Sequence, residues 1–187
     1  MADISLGQHD RRAALSETTA AQHRRLDETL RKSGFFASHS GYALYLRANF
    51  LARGRLEMQL AEAAVIPASE YVLTREIAAD LAALGHDTPF LPPTGKALTA
   101  SAAWGALYVL QGASMGALHL RRWAAGLGFT DEAGASHLAL QARRAGGWKT
   151  FLHLLNSQNF TPAEEENCRA SACAAFTYFE ESLAVDA

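Results

Sequence analysis

Residues 97–120 form a run of 24 positions without an acidic or basic side chain other than His119, bounded by Lys96 before and Arg121-Arg122 after. A helix with so little polar surface must be covered on most of its circumference, so the rest of the chain has to wrap it. Within that run Gly105, Gly112 and Gly116 lie seven and four residues apart, on one helical face, with Tyr108 and His119 close beside it. Each glycine inside a helix costs about 1 kcal/mol relative to alanine, so something must approach this backbone closely. Three partners fit the pattern. One is a second helix packed tightly on small residues. Another is a membrane span pairing through its glycines. The third is a flat ligand lying where side chains are absent. Thr99, Ser101, Gln111, Ser114 and many alanines make the run weakly hydrophobic for a span.

The surrounding pattern supplies the wrapping. Apolar residues make up 49% of the chain, alanine is abundant and β-branched residues are few, which predicts an all-α fold. At 187 residues the expectation is a single domain over 1–187, a multi-helical bundle, with 1–9 as a flexible N-terminus. Helical periodicity predicts helices over 10–32, 40–64, 69–84, 97–120, 132–155 and 162–183. Gly34 caps the first, Pro67 closes the second, Gly85 stops the third, and Pro162 opens the last. Pro89, Pro92 and Pro93 deny the backbone its donors and make 86–95 a connecting loop.

A net charge of −2 gives no general attraction to nucleic acid or to a membrane surface, so any anionic ligand has to be met by local arginines. Cys168 and Cys173, five apart on a helix, point in different directions and read as core fillers of a reduced compartment. The first ten residues lack the apolar core of a signal peptide, and the expected location is the cytoplasm.

The first helix carries Leu15, Thr19, His23, Leu26 and Leu30 on one stripe. A histidine there is ordinarily a core residue with a satisfied hydrogen bond. Asp27, one turn further on, is placed to hold the Nδ1 proton and leave Nε2 as a ligand. No second histidine or cysteine stands at a zinc-like spacing from His23, so a closed protein cage is excluded. A metal carried in its own planar ring of four nitrogens needs only this one ligand, and heme fits that description.

Leu15-Ser16-Glu17-Thr18-Thr19-Ala20-Ala21-Gln22-His23-Arg24-Arg25-Leu26-Asp27 resembles the proximal helix of the heme oxygenases, most closely the bacterial kind found beside biliverdin-binding phytochromes. Tyr108-Val109-Leu110-Gln111-Gly112-Ala113-Ser114-Met115-Gly116 resembles their distal helix, and Trp148-Lys149-Thr150-Phe151-Leu152 and Phe176-Thr177-Tyr178-Phe179 are similar in position to their later helices.

The resemblance implies His23 as iron ligand with Asp27 behind it, Thr19 and Tyr108 in the heme pocket, and Gly112 and Gly116 over the heme. It also implies oxidative opening of heme to biliverdin, ferrous iron and carbon monoxide, using O2 and electrons from an external reductant, a ferredoxin or reductase. A biliverdin-binding phytochrome is the partner this type implies downstream.

Three positions depart from the family pattern. Gln111 stands for a glutamate, Ala113 for an aspartate that organises proton delivery, and Ser16 for a basic propionate partner. Protons would then have to come by water, backbone or Ser114, and Lys149, Arg12 and Arg143 are candidates to meet the propionates. The alternatives are a non-catalytic heme carrier or sensor of the same fold and a thiaminase-like enzyme. Against the latter, neither cysteine has a neighbouring base.

Overall fold

The computed structural model describes residues 10–93 and 97–184; the expected flexible N-terminus, 1–9, lies outside them. Among the described residues there are eight α-helices: α1 (Arg11–Lys32), α2 (His39–Ala63), α3 (Thr74–Ala83), α4 (Ala100–Gly112), α5 (Ser114–Gly126), α6 (Ser136–Arg144), α7 (Trp148–Asn156) and α8 (Pro162–Ala184). Short 3-10 turns precede α3 and α7. The architecture is all-α, as the composition predicts.

Local chemistry sets the ends. Asp10, Ser38 and Thr99 each accept a hydrogen bond from the backbone N–H three residues on, starting α1, α2 and α4. At α8, Thr161 and Glu164 cap each other reciprocally: the Glu164 carboxylate accepts from the Thr161 N–H, and the Thr161 hydroxyl accepts from the Glu164 N–H. Gly34 follows α1 at φ 75°, the left-handed conformation that stops a helix without a Cβ penalty.

Two of the expected helices are broken. The charge-free run divides at Ala113 into α4 and α5. There the Ser114 hydroxyl donates to the Gln111 carbonyl at 2.6 Å, while the Gly116 N–H turns back to Ala113 O at 3.2 Å in a tighter turn. A kink at a glycine and serine pair is a cheap place to interrupt a ladder, and Gln111 Nε2 fixes it from outside by donating to Glu70 O at 3.1 Å. The segment expected as one helix over 132–155 likewise becomes α6 and α7, separated by the Ala145–Gly147 turn. Its start shifts to Ser136 because Asp80 accepts from the backbone N–H groups of Ser136 and His137.

Helix α8 lies against α4, α1 and α2. Gly105 is what lets α4 come so close: a Cβ there would stand 1.9 Å from Cys168 O and 3.1 Å from Ala172 N. One core region gathers Trp104, Leu107, Phe151, Leu155 and Phe176 between α4, α7 and α8. A second gathers Tyr42, Leu46, Ile77, Leu81 and Leu138 between α2, α3 and α6. Arg11, 5% exposed, ties three helix ends together. Its guanidinium donates to Leu155 O, to Gln158 O and to the Glu165 carboxylate, and its Cζ stacks 4.4 Å from the centre of the Phe160 ring.

Buried polar groups hold the second core. His137 Nδ1 lies 2.6 Å from Asp80 Oδ2, both residues almost fully enclosed. Burial lowers the His137 pKa against the opposing pull of Asp80. Burial alone would raise the Asp80 carboxyl, but the hydrogen bonds and charge of His137 and the two backbone donors bring it below the usual range. A carboxylate facing a neutral imidazole results. No helix among the described residues is long and apolar enough to cross a membrane.

Candidate functional site

The candidate residues lie on two helical faces that approach each other at two places. On α1, Ser16 and His23 are seven residues apart and share a face; on α4, Tyr108 and Gly112 are four apart and share a face. These faces come near each other where the Ser16 side chain and the Arg12 charge approach the Tyr108 hydroxyl. Burial raises the Tyr108 pKa, and both of those neighbours oppose the rise.

At the far end Trp123, seven residues after Gly116 and on its face of α5, packs edge-on against Phe36, which follows α1, with ring centres 5.4 Å apart. The His23 side chain is 63% exposed, and a Cβ added at Gly116 would meet nothing within 4 Å.

The floor is aromatic. Phe176 of α8 meets the His23 ring edge-on at 5.9 Å, and Trp148 of α7 lies beneath Gly112, its ring 3.6 Å from where a Cβ would stand. Tyr108 and Phe151 flank Trp148, each with its ring centre 5.6 Å away. His23 Nδ1 is 3.1 Å from Asp27 Oδ2, the one-turn pairing that the spacing predicts. With its proton held there, Nε2 is the nitrogen turned outward.

The three glycines on the charge-free run therefore do different work. Gly105 is a packing glycine, jammed against the α8 backbone. Gly112 and Gly116 flank the α4–α5 break; Gly116 has open space where a side chain would stand, and Gly112 is met there only by the Trp148 ring. A planar ring with one axial nitrogen fits this arrangement. A second helix at Gly116 does not, since a packed helix would leave atoms close to its Cα.

No protein-family model matches the chain. Heme oxygenase PigA of Pseudomonas aeruginosa is 30% identical over 190 residues, covering 98% of this chain and 96% of the relative. This chain belongs to the heme oxygenase family. Its fold also superimposes on a crystal structure of the NO- and CO-bound heme oxygenase from Neisseria meningitidis, with a TM-score of 0.81 and 26% identity, over 91% of this chain and 88% of that one.

The remaining candidates of this heme oxygenase chain divide by position. Thr19 is 3% exposed and turned into the core, its hydroxyl donating to Leu15 O at 2.8 Å. Ser114, equally buried, caps the break as described. Lys149, Arg12 and Arg143 are exposed, Lys149 next to the floor residue Trp148 and Arg12 beside Tyr108. His119 lies exposed on α5, three residues after Gly116 and four before Trp123, on the same side of the helix as both.

Phe36, Trp123 and Phe176 carried no mark in the helical periodicity. Their roles come from contacts between helices that no spacing encodes, although Phe176 stands in one of the segments that resemble the family. Cys168 is buried under α4, and burial pushes its thiol up to about 12, far from a nucleophile's range.

Proposed function

We propose that this chain binds heme in the cleft between α1 and the α4–α5 break and opens the ring oxidatively, giving biliverdin, ferrous iron and carbon monoxide. The observation that carries the reading is the exposed His23 imidazole held by Asp27, together with the open backbone at Gly116 on helix α5, whose Trp123 meets Phe36 just after α1. Family membership supports the same chemistry.

In this reading His23 Nε2 is the iron ligand and Asp27 holds the Nδ1 proton, fixing the tautomer and the aim of the ring. Heme, when bound, supplies the redox-active iron and is itself the compound consumed, with O2 and electrons from a ferredoxin or reductase. Gly112 and Gly116 exclude side chains from the opposite face, so that steric exclusion directs attack toward one edge of the ring. Trp148, Phe176 and Tyr108 close the floor against water and strengthen each polar contact inside.

Lys149, Arg12 and Arg143 are exposed cations that would meet the propionate carboxylates. Ser114 at the break is the protein group that would deliver protons on the glycine side. The entire chain serves as one heme oxygenase domain in the cytoplasm, and a biliverdin-binding phytochrome is the partner that would take its product.

Hemin added to the purified protein is expected to give a sharp histidine-ligated Soret band that His23→Ala loses. Adding an electron donor in air should convert that band to the spectrum of biliverdin. Heme that binds and survives reduction in air would instead make the protein a carrier.

A further inference from the structure

Three interactions between α1 and α8 follow in register. Arg11 meets Glu165, Gln22 meets Cys173 and Thr177, and Arg25 meets Glu180, so the two helices run parallel. The middle one falls on the residue immediately before His23.

Gln22 Nε2 donates to Cys173 O at 3.0 Å and to Thr177 Oγ1 at 3.2 Å. The Thr177 hydroxyl donates to the same Cys173 O at 3.1 Å, which leaves its lone pair facing the glutamine. All three groups are partly buried and each satisfies another. Phe176, the residue before Thr177, is the one whose ring edge meets His23. The amide contact and the aromatic contact therefore act on consecutive residues of both helices.

We propose that Gln22 is a positioning residue for His23, a rotational stop that, through Cys173 O and Thr177, sets where the imidazole points; this rests on the heme-ligand reading of His23. Geometry gives the leverage. With Cα atoms about 2.3 Å from the helix axis, the ring nitrogen lies roughly 7 Å out, and a turn of about 5° carries it about 0.6 Å. A ligating group must be held within about 0.5 Å to keep its bond geometry. The apolar stripe of Leu15, Leu26 and Leu30 cannot supply that precision, because hydrophobic contact is non-directional. Two hydrogen bonds from one amide to adjacent acceptors are directional. Asp27 sets the ring about its own bonds; Gln22 sets the helix that carries it.

The test uses Gln22→Met, which keeps volume and removes the donor, and Thr177→Val, which keeps shape and removes the acceptor. In the heme-free protein, NMR of labelled histidine and phenylalanine reads the contact between the His23 and Phe176 rings directly. Both variants should weaken that contact, loosen hemin binding by about tenfold, as outer-shell partners of a ligand typically do, and alter the iron–histidine vibrational band. Melting temperature should change little.

Should both variants keep the ring contact, the hemin affinity and the vibrational band, with only the melting temperature lowered, the glutamine is merely structural and the proposal is overturned. If Gln22→Met does not fold, Thr177→Val reads the same link from the other side. Hemin failing to ligate His23 in the unmodified protein would refute the functional reading alone, and the ring contact measured without hemin would still decide whether Gln22 aims the imidazole.

Discussion

Replacing Gly105 and Gly116 by alanine, one at a time, should move stability in opposite directions. At Gly105 the new Cβ would lie 1.9 Å from Cys168 O and 2.9 Å from its carbonyl carbon. Both are α8 backbone, so neither rotates away, and the two helices must part by more than an ångström along one of the main packed surfaces of the bundle. Overpacking of this kind costs about 1–3 kcal/mol or more, and the helix-propensity gain of alanine recovers about 1. A net loss of about 2 kcal/mol lowers the melting temperature by roughly 4–8 °C for a chain of this size.

At Gly116 nothing lies within 4 Å, so the same substitution gains about 0.5 kcal/mol from the stiffer unfolded chain. Thermal unfolding of the heme-free variants, followed by hemin titration, separates the cases. Gly105→Ala should melt earlier and, where folded, take hemin normally; Gly116→Ala should melt slightly later, and Gly116→Leu should reject hemin. A Gly116→Ala protein that melts several degrees early, or a Gly116→Leu protein that binds hemin like the parent, would refute the division of the glycines into packing and pocket.

Acid should destabilise the heme-free fold in two stages. His137 has a folded pKa below its unfolded value near 6.5, so the unfolded chain binds more protons and stability falls as pH drops below about 6.5. Asp80, also depressed, adds a second loss as pH falls below its unfolded value near 4 and through its lower folded value. Denaturant melts from pH 8 to 3 should show this slope, and His137→Gln should flatten its upper part. Arg11→Met leaves Glu165 without its buried partner and two carbonyls without a donor, and should cost about 3 kcal/mol in urea unfolding. Ser114→Ala frees the Gln111 carbonyl at the break and should cost about 1 kcal/mol by the same measurement.

The helices were legible because their signals are local. Asp10 and Pro162 announce two starts and Gly34 a stop, whereas the caps Ser38 and Thr99 start α2 and α4 at His39 and Ala100 where the periodicity placed them at 40 and 97. The His23–Asp27 pair was legible for the same reason, since one helical turn fixes its spacing. The breaks at Ala113 and Ala145–Gly147 were not, although glycines stood at both. A glycine in a helical pattern is read as tolerated unless something outside the helix stabilises the interruption. Here that something is Gln111 reaching Glu70 O, a contact 41 residues away in sequence. Phe36 and Trp123 were hidden by the same kind of distance, being contacts between helices, and so was the contact of Phe176 with His23.

The division of the charge-free run at Ala113 also explains how one segment serves two incompatible needs. A straight helix locked to α8 by Gly105 would continue along one line and hold Gly112 and Gly116 at a fixed distance from α1. Breaking it lets α4 stay seated on α8 while α5 packs on α6 and meets α1's end through Trp123 and Phe36. The width between the walls is then set by three separate contacts: Ser16 with Tyr108, Trp123 with Phe36, and the Gln111 clasp. Loosening any one should widen or skew the cleft without unfolding the bundle, because the Gly105 seat and the Arg11 staple lie outside it. Gln111→Leu, which removes the clasp while keeping an apolar contact, is therefore expected to retain the parent's melting temperature within a few degrees while lowering hemin affinity. Equal loss of both would mean that the break is part of the core's stability and does not set the width of the cleft.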